Sequence, residues 1–447
     1  MSERRSGIAI LMLLLASSGD AATFRTLNRQ PNEEWFPLAM RAISSDGQVA
    51  VGDGWTDLPR TGQHGPVMWS LSTGLVLLDG AGPFSENWDR ATVSEVSADG
   101  SIISGTGVRD DNGEYEAFRW TRESGAVPIG TLSSTQSWPG PWVRAMTDNG
   151  AAIVGSSESP NGQEAFLWTA ETGMRGLGDL PGGLFNSGIC GMTPDAETLV
   201  GFANSERGWE AVRWTQSAGF TVLGEPATVA THISDDGQVI VGNTNSEAFR
   251  WTAESGLKGL GDLLPDGRVF SGVTDMTPDG STIVGMSEID LRNGETEESF
   301  VWDAAHGMRS LTDVAIRDYG LTEIIANGWA GHVAGVQGVS DDAKVFLGSD
   351  WIIDLRDGPR AGDTNFDGAI DLADFGILKQ NFGIGVWRDQ GDLDDNDRVD
   401  LSDFGILKAN FGKGASAVPE PSTLFLATLA LFALACRRPE LLGVTAP

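Results

Sequence analysis

The chain has 447 residues, with 62 acidic against 30 basic side chains, a formal net charge of −32 and a pI near 4.3. That balance excludes nucleic acid and other polyanions as bulk electrostatic partners and favours solubility and divalent cations. Two cysteines, Cys190 and Cys436, exclude a disulfide framework, and 59 glycines predict a chain that turns every few residues.

In chain order, Arg4 and Arg5 precede an apolar run over residues 7–16 and small residues up to Ala21 and Ala22. This predicts a secretory signal peptide over residues 1–22, cleaved after Ala21 or Ala22, and an extracellular or cell-surface destination. Next comes Phe24-Arg25-Thr26-Leu27, which has the pattern of the last strand of a unit that lacks its beginning.

The unit itself is clearest over residues 232–263, HISDDGQVIVGNTNSEAFRWTAESGLKGLGDL. Two alternating runs flank Asp236-Gly237, a hairpin signal in which both turn residues are expected at positive φ. Residues 247–252, EAFRWT, form a third strand, and a glycine-punctuated fourth follows. Four short antiparallel strands cannot bury two faces alone, so the unit requires stacked neighbours. A glycine expected at a strand end recurs at Gly52, Gly105, Gly155, Gly201, Gly242, Gly285 and Gly348, about 49 residues apart on average, the period of one propeller blade. Trp69, Trp120, Trp168, Trp214, Trp251, Trp302 and Trp351 recur in step. Phe118, Phe166, Phe249 and Phe300 precede four of them by two residues, with Ala117, Ala165, Ala211 and Ala248 on the opposite face. Large residues on one face and small ones on the other are what stacked sheets need, so these aromatics are expected in the blade core. The last unit, residues 339–355, stops without its outer strand, and residues 24–27 are expected to supply it beside Trp351.

The segments SADGS at 97–101, TPDGSTIVG at 277–285 and EAFLWTAETGMRGLGDLPGG at 164–183 resemble the HAF-type extracellular repeat of secreted bacterial proteins. The resemblance covers about residues 24–355 and implies a propeller-like fold while saying little of activity. The expectation is all-β: a seven-bladed β-propeller over residues 23–357, closed by the N-terminal strand.

After a linker at residues 356–359, two near-copies follow, DTNFDGAIDLADFGILKQNFG at 363–383 and DLDDNDRVDLSDFGILKANFG at 392–412. The first places Asp363, Asn365, Asp367, Asp371 and Asp374 at loop positions one, three, five, nine and twelve, with the backbone carbonyl of Ala369 at seven. The second places Asp392, Asp394, Asn396, Asp400 and Asp403 likewise, with Arg398 at seven. Alternate spacing around a tight turn aims oxygens at one point, and hard oxygen ligands in this number suit calcium, two ions in all. Phe375, Leu378 and Phe382, and equally Phe404, Leu407 and Phe411, predict one amphipathic helix per loop, ending at Gly383 and Gly412. The tandem pair closely resembles the type I dockerin family. The likeness implies a small α-helical calcium-binding domain over residues 358–414 and a cohesin-like protein partner. Asp397 stands where Gly368 stands in the first loop, and Leu372-Ala373 and Leu401-Ser402 replace the Ser-Thr pairs of cellulosomal relatives.

Residues 415–447 contain VPEPST at 418–423, an apolar run over 424–436, then Arg437 and Arg438. Thirteen apolar residues are marginal for a membrane span, so a transient membrane contact is expected. The order of parts resembles the PEP-CTERM sorting signal, which implies removal by an exosortase-type enzyme.

His64, His232, His306 and His332 form no metal spacing, and neither a G-x-S-x-G motif nor a P-loop occurs. The pattern predicts no catalytic residues and no organic cofactor. It points to an exported, surface-directed calcium-binding protein in non-catalytic binding or assembly, with a polysaccharide as a possible ligand of the propeller. The alternative is a secreted polysaccharide-active hydrolase or lyase with the module as appendage, its site in the loops 53–66, 288–298 or 327–332 that break the repeat.

Overall fold

The computed structural model describes residues 22–27, 38–56, 63–78, 88–109, 113–133, 140–226, 228–264, 270–288, 297–326 and 333–413. The signal peptide, the sorting segment and most of the three pattern-breaking loops lie outside the described residues. The chain divides after Gly358 into two compact units, Met1–Gly358 and Pro359–Pro447.

The first unit is built from the recurring turn. Ser44 Oγ donates to Asp46 Oδ1 at 2.7 Å, the same carboxylate accepts Gln48 N at 2.9 Å, and Val49 N donates back to Ser44 Oγ at 3.0 Å. The same bonds recur around Asp99, Asp195, Asp236, Asp279 and Asp342, so the motif codes for a side-chain-locked turn. Gly47, Gly100, Gly150, Gly237 and Gly280 sit at positive φ there, as do Ala196 and Ala343. Asp236 and its counterparts do not, which corrects the expectation of a two-residue turn with both residues left-handed.

Each turn joins two neighbouring antiparallel strands, the first two of a four-stranded set. The expected count of seven separate blades is also corrected: five sheets have four strands, and one has eight. The eight-stranded sheet, Trp142–Met146 through Gly219–Pro226, is continuous because Gln163 pairs in parallel with Asn186 across its two halves. Each half carries its own copy of the repeat, and one inter-strand pair is enough to merge them.

The closing sheet combines Val336–Val339, Val345–Gly348 and Trp351–Asp354 with Thr23–Thr26. Thr26 lies opposite Trp351 and Thr23 opposite Asp354, so the outer edge of the last sheet is paired by the N-terminal strand. Asp341 N donates to Ser45 O at 3.1 Å and Met40 N to Ser349 O at 2.8 Å, which joins the closing sheet to the first one and completes the circle.

Phe118, Phe166, Phe249, Phe300 and Trp351 are fully buried, with Ala117, Ala165, Ala211 and Ala248 opposite them, as blade-core residues should be. The repeated glycine ends its strand only at Gly348, the last residue of Val345–Gly348; the other copies lie inside theirs. Gly155 lies inside Ala152–Ser159, and Gly285 inside Thr282–Ser287. A Cβ at Gly105, Gly155, Gly201, Gly242 or Gly285 would stand 1.8–2.1 Å from a carbonyl oxygen of the innermost strand. Close backbone approach is what the period-49 glycine serves.

Candidate functional site

Two places concentrate chemistry: the axis of the propeller and the acidic loops of the second unit.

The close approach at the repeated glycine has a partner on the innermost strands. Every one of these carries a register shift, which leaves Arg41, Ser94, Arg144, Cys190, Thr231, Thr274 and Gln337 outside the ladder. All of them line cavities on the axis. The next residue along adds Glu95, His232 and Asp275. Sequence reasoning missed this site, although the signal was present: the axial residues stand three and two positions before each turn Ser or Thr.

The axial groups tune one another. His232 Nε2 lies 3.7 Å from Asp275 Oδ1, and Asp275 also accepts Val339 N at 2.8 Å and Met276 N at 2.7 Å. Burial pushes the Glu95 carboxyl up to about 8, helped by the negative charge of Asp275. Burial also raises Asp275 against the pull of His232, and lowers His232 against the pull of Asp275. At neutral pH the channel therefore holds a protonated Glu95 and a neutral His232. Burial takes the Cys190 thiol to about 11, which makes it unreactive. Arg41 Nε pairs with the buried Asp53 at 2.7 Å, and Asp53 Oδ1 accepts Val93 N at 3.0 Å from the next sheet.

In the second unit, helices span Leu372–Asn381 and Leu401–Asn410. Asp371 and Asp400 cap them, and Asp374 and Asp403 return the bond to the cap backbone at 2.8 and 2.7 Å, a reciprocal capping box. Positions nine and twelve of each loop are thus held by helix-start chemistry, a structural role that the ligand spacing alone did not reveal. Leu378 and Leu407 are buried as expected, but Phe382 and Phe411 lie beyond the helices and are half exposed. Ile370, Leu378, Leu393, Val399 and Leu407 form the core, and the Phe375 and Phe404 rings meet at 5.9 Å. The halves are tied by Gly412 N to Ile370 O and Gly383 N to Val399 O, both 2.8 Å.

The loops gather oxygens. In the second, one oxygen each of Asp392, Asp394 and Asp403 lies within 4.8 Å of the others. Asp363 and Asp392 are nearly fully buried, and Oδ1 of Asp363 and Oδ2 of Asp392 have no hydrogen-bond partner. Both carboxyls are raised, first by burial and then by the neighbouring acids, Asp374 and Asp367 in one loop and Asp403, Asp395 and Asp394 in the other. A buried carboxylate oxygen aimed into a ring of acids is the donor set that a hard cation satisfies. Asn365 Oδ1 and Asp367 Oδ1 instead accept backbone N–H groups of the loop, at 3.0 and 2.8 Å. Asp397 adopts φ +61°, the left-handed conformation that glycine takes at Gly368.

Residues 417–438 match the PEP-CTERM protein-sorting motif. The chain carries an exosortase-type sorting signal. It marks an exported, cell-surface protein. No curated protein matches the chain. Among solved structures, TolB from Acinetobacter baumannii is 11% identical with a TM-score of 0.39, over 58% of this chain and 62% of that one. This chain thus spans less than two thirds of that protein's length. An oligogalacturonate lyase from Vibrio parahaemolyticus is 11% identical with a TM-score of 0.43, over 75% and 97% of the two chains. The β-propeller domain of the Trilobed protease from Pyrococcus furiosus is 9% identical with a TM-score of 0.39, over 62% and 85%. No helix among the described residues is long and apolar enough to cross a membrane.

Proposed function

We propose that this exported, propeller-bearing protein acts in non-catalytic binding or assembly at the cell surface through a dockerin-like module that holds two calcium ions. The observation that carries the proposal is the pair of buried, unpartnered carboxylate oxygens, on Asp363 and Asp392, at equivalent points of two copied loops. Asp363, Asn365, Asp367, the Ala369 carbonyl, Asp371 and Asp374 would hold the first ion. Asp392, Asp394, Asn396, the Arg398 carbonyl, Asp400 and Asp403 would hold the second. Each ion would neutralise acids that now repel and would order its loop.

The module also offers a surface. Leu372 and Leu401 are 73% and 75% exposed at matching positions, and Ile384 is 78% exposed. Apolar side chains this open on a small domain suit a protein partner, of the cohesin-like kind the resemblance implies. Equilibrium dialysis of the whole chain is expected to find two tightly held calcium ions. One is expected in Asp363→Ala or Asp392→Ala, and none in the double variant. Stoichiometry unaffected by the double variant would contradict the ligand assignment.

A further inference from the structure

We propose that the axial mouth of the propeller binds a short oligosaccharide bearing carboxylates, with Arg144 holding a carboxylate and Trp142 and Trp209 stacking on sugar rings. The inference goes beyond the calcium-binding role and uses none of its residues.

Three features of the mouth converge. The first is an uncompensated cation. In a chain with net charge −32, Arg41, Arg207, Arg309 and Arg356 each stand within ion-pair distance of a carboxylate. Arg144 is exposed and has no carboxylate partner among the described residues, its guanidinium lying 5.7 Å over the Trp142 ring. A guanidinium in a concave site takes a carboxylate as a two-pronged hydrogen-bond acceptor.

The second is aromatic exposure. Trp142 and Trp209 are 44% and 40% exposed, in a fold whose repeat tryptophans are buried or half-buried. Neither belongs to that repeat. Trp142 borders a cavity of about 710 Å³ and Trp209 one of about 860 Å³, and Arg144, Glu95 and Thr274 line both. Both volumes fall in the range of roughly 300–1,000 Å³ that small-molecule sites occupy. Flat apolar faces suit the C–H face of a pyranose, and Arg144 sits where the two cavities adjoin.

The third is a lining of neutral polar groups, such as Ser94 and Asn245, that match sugar hydroxyls. Glu95, protonated at neutral pH, leaves the charge of Arg144 intact and can donate a hydrogen bond. The overall negative charge disfavours long polyanions. At physiological ionic strength, however, charges beyond roughly 8 Å are screened. A short ligand therefore feels Arg144 together with the groups of the adjoining axial cavity, Arg41 and the acids Asp148, Asp235, Asp275 and Asp341.

The test titrates the full exported chain with short galacturonate, glucuronate and mannuronate oligosaccharides, following tryptophan fluorescence. Controls are the charge-free methyl esters and inorganic phosphate. Calcium is chelated throughout, so the acidic loops contribute nothing and a failure here leaves the calcium proposal standing. At least one uronate series is expected to bind saturably and its ester at least tenfold more weakly. Arg144→Ala is expected to lose about tenfold or more with Arg144→Lys in between, while Trp142→Ala weakens acid and ester alike. Equal binding of the ester, binding of phosphate alone, no saturable binding by any uronate, or an Arg144→Ala protein that is folded by circular dichroism yet binds as the parent does would each overturn the proposal.

Discussion

Single side chains in this protein are held by what surrounds them, and two show it most clearly. A methyl group at position 155 would meet Trp142 O at 1.8 Å, with no flexible side chain able to yield. Gly155→Ala is therefore expected to destabilise the first unit by about 1–3 kcal/mol, read as a lower unfolding midpoint in denaturant. An unchanged midpoint would show that the innermost strand can move away. Glu95 makes a pH-dependent prediction. Its carboxyl titrates near 8 in the folded channel and near 4.5 when unfolded. Below 4.5 both states are protonated and the group has no effect on stability. Between 4.5 and about 8 the unfolded chain ionises while the folded one does not, so stability falls with rising pH and levels off above 8. Glu95→Gln should remove this dependence, leaving the variant more stable than the parent at pH 9 by on the order of 2–3 kcal/mol and equal to it at pH 4. A parent and variant that differ equally at both pH values would refute the assignment.

Among the elements, the N-terminal strand has the most to answer for. Thr23–Thr26 pairs along the whole of Trp351–Asp354, and Phe24 is buried. A chain beginning at residue 28 should expose the Trp351–Asp354 edge, lower the melting temperature of the first unit and aggregate on heating. Full stability in the truncated chain would show the pairing to be dispensable. This strand was legible in the sequence because a unit without an end and an end without a unit are complementary. The turns and aromatics were legible for the same reason, since repetition exposes packing. Three things were not. A single parallel pair, Gln163 with Asn186, merges two four-stranded sets, and one inter-strand contact leaves no periodic signal. The bulges that turn Arg144 and Cys190 toward the axis depend on registers that only paired strands define. The role of Asp371 and Asp400 in capping was hidden because the same oxygens fit a ligand pattern.

At the level of the whole molecule, the chain combines a closed ring of small sheets, a separate acidic module and a sorting tail. Between residues 363 and 412 stand eleven acids and four bases, a density whose self-repulsion opposes a compact fold and which a bound cation would offset. The repeat turns of the ring meet their acids differently: hydrogen bonds from Ser101 and Ser97 hold the Asp99 carboxyl down to about 2. Calcium should therefore act on one unit and leave the other alone. Scanning calorimetry of the whole chain, with calcium and with a chelator, tests this most directly. Two transitions are expected, one rising steeply with calcium and one fixed. A single transition, or two that ignore calcium, would contradict the division of labour between ring and module.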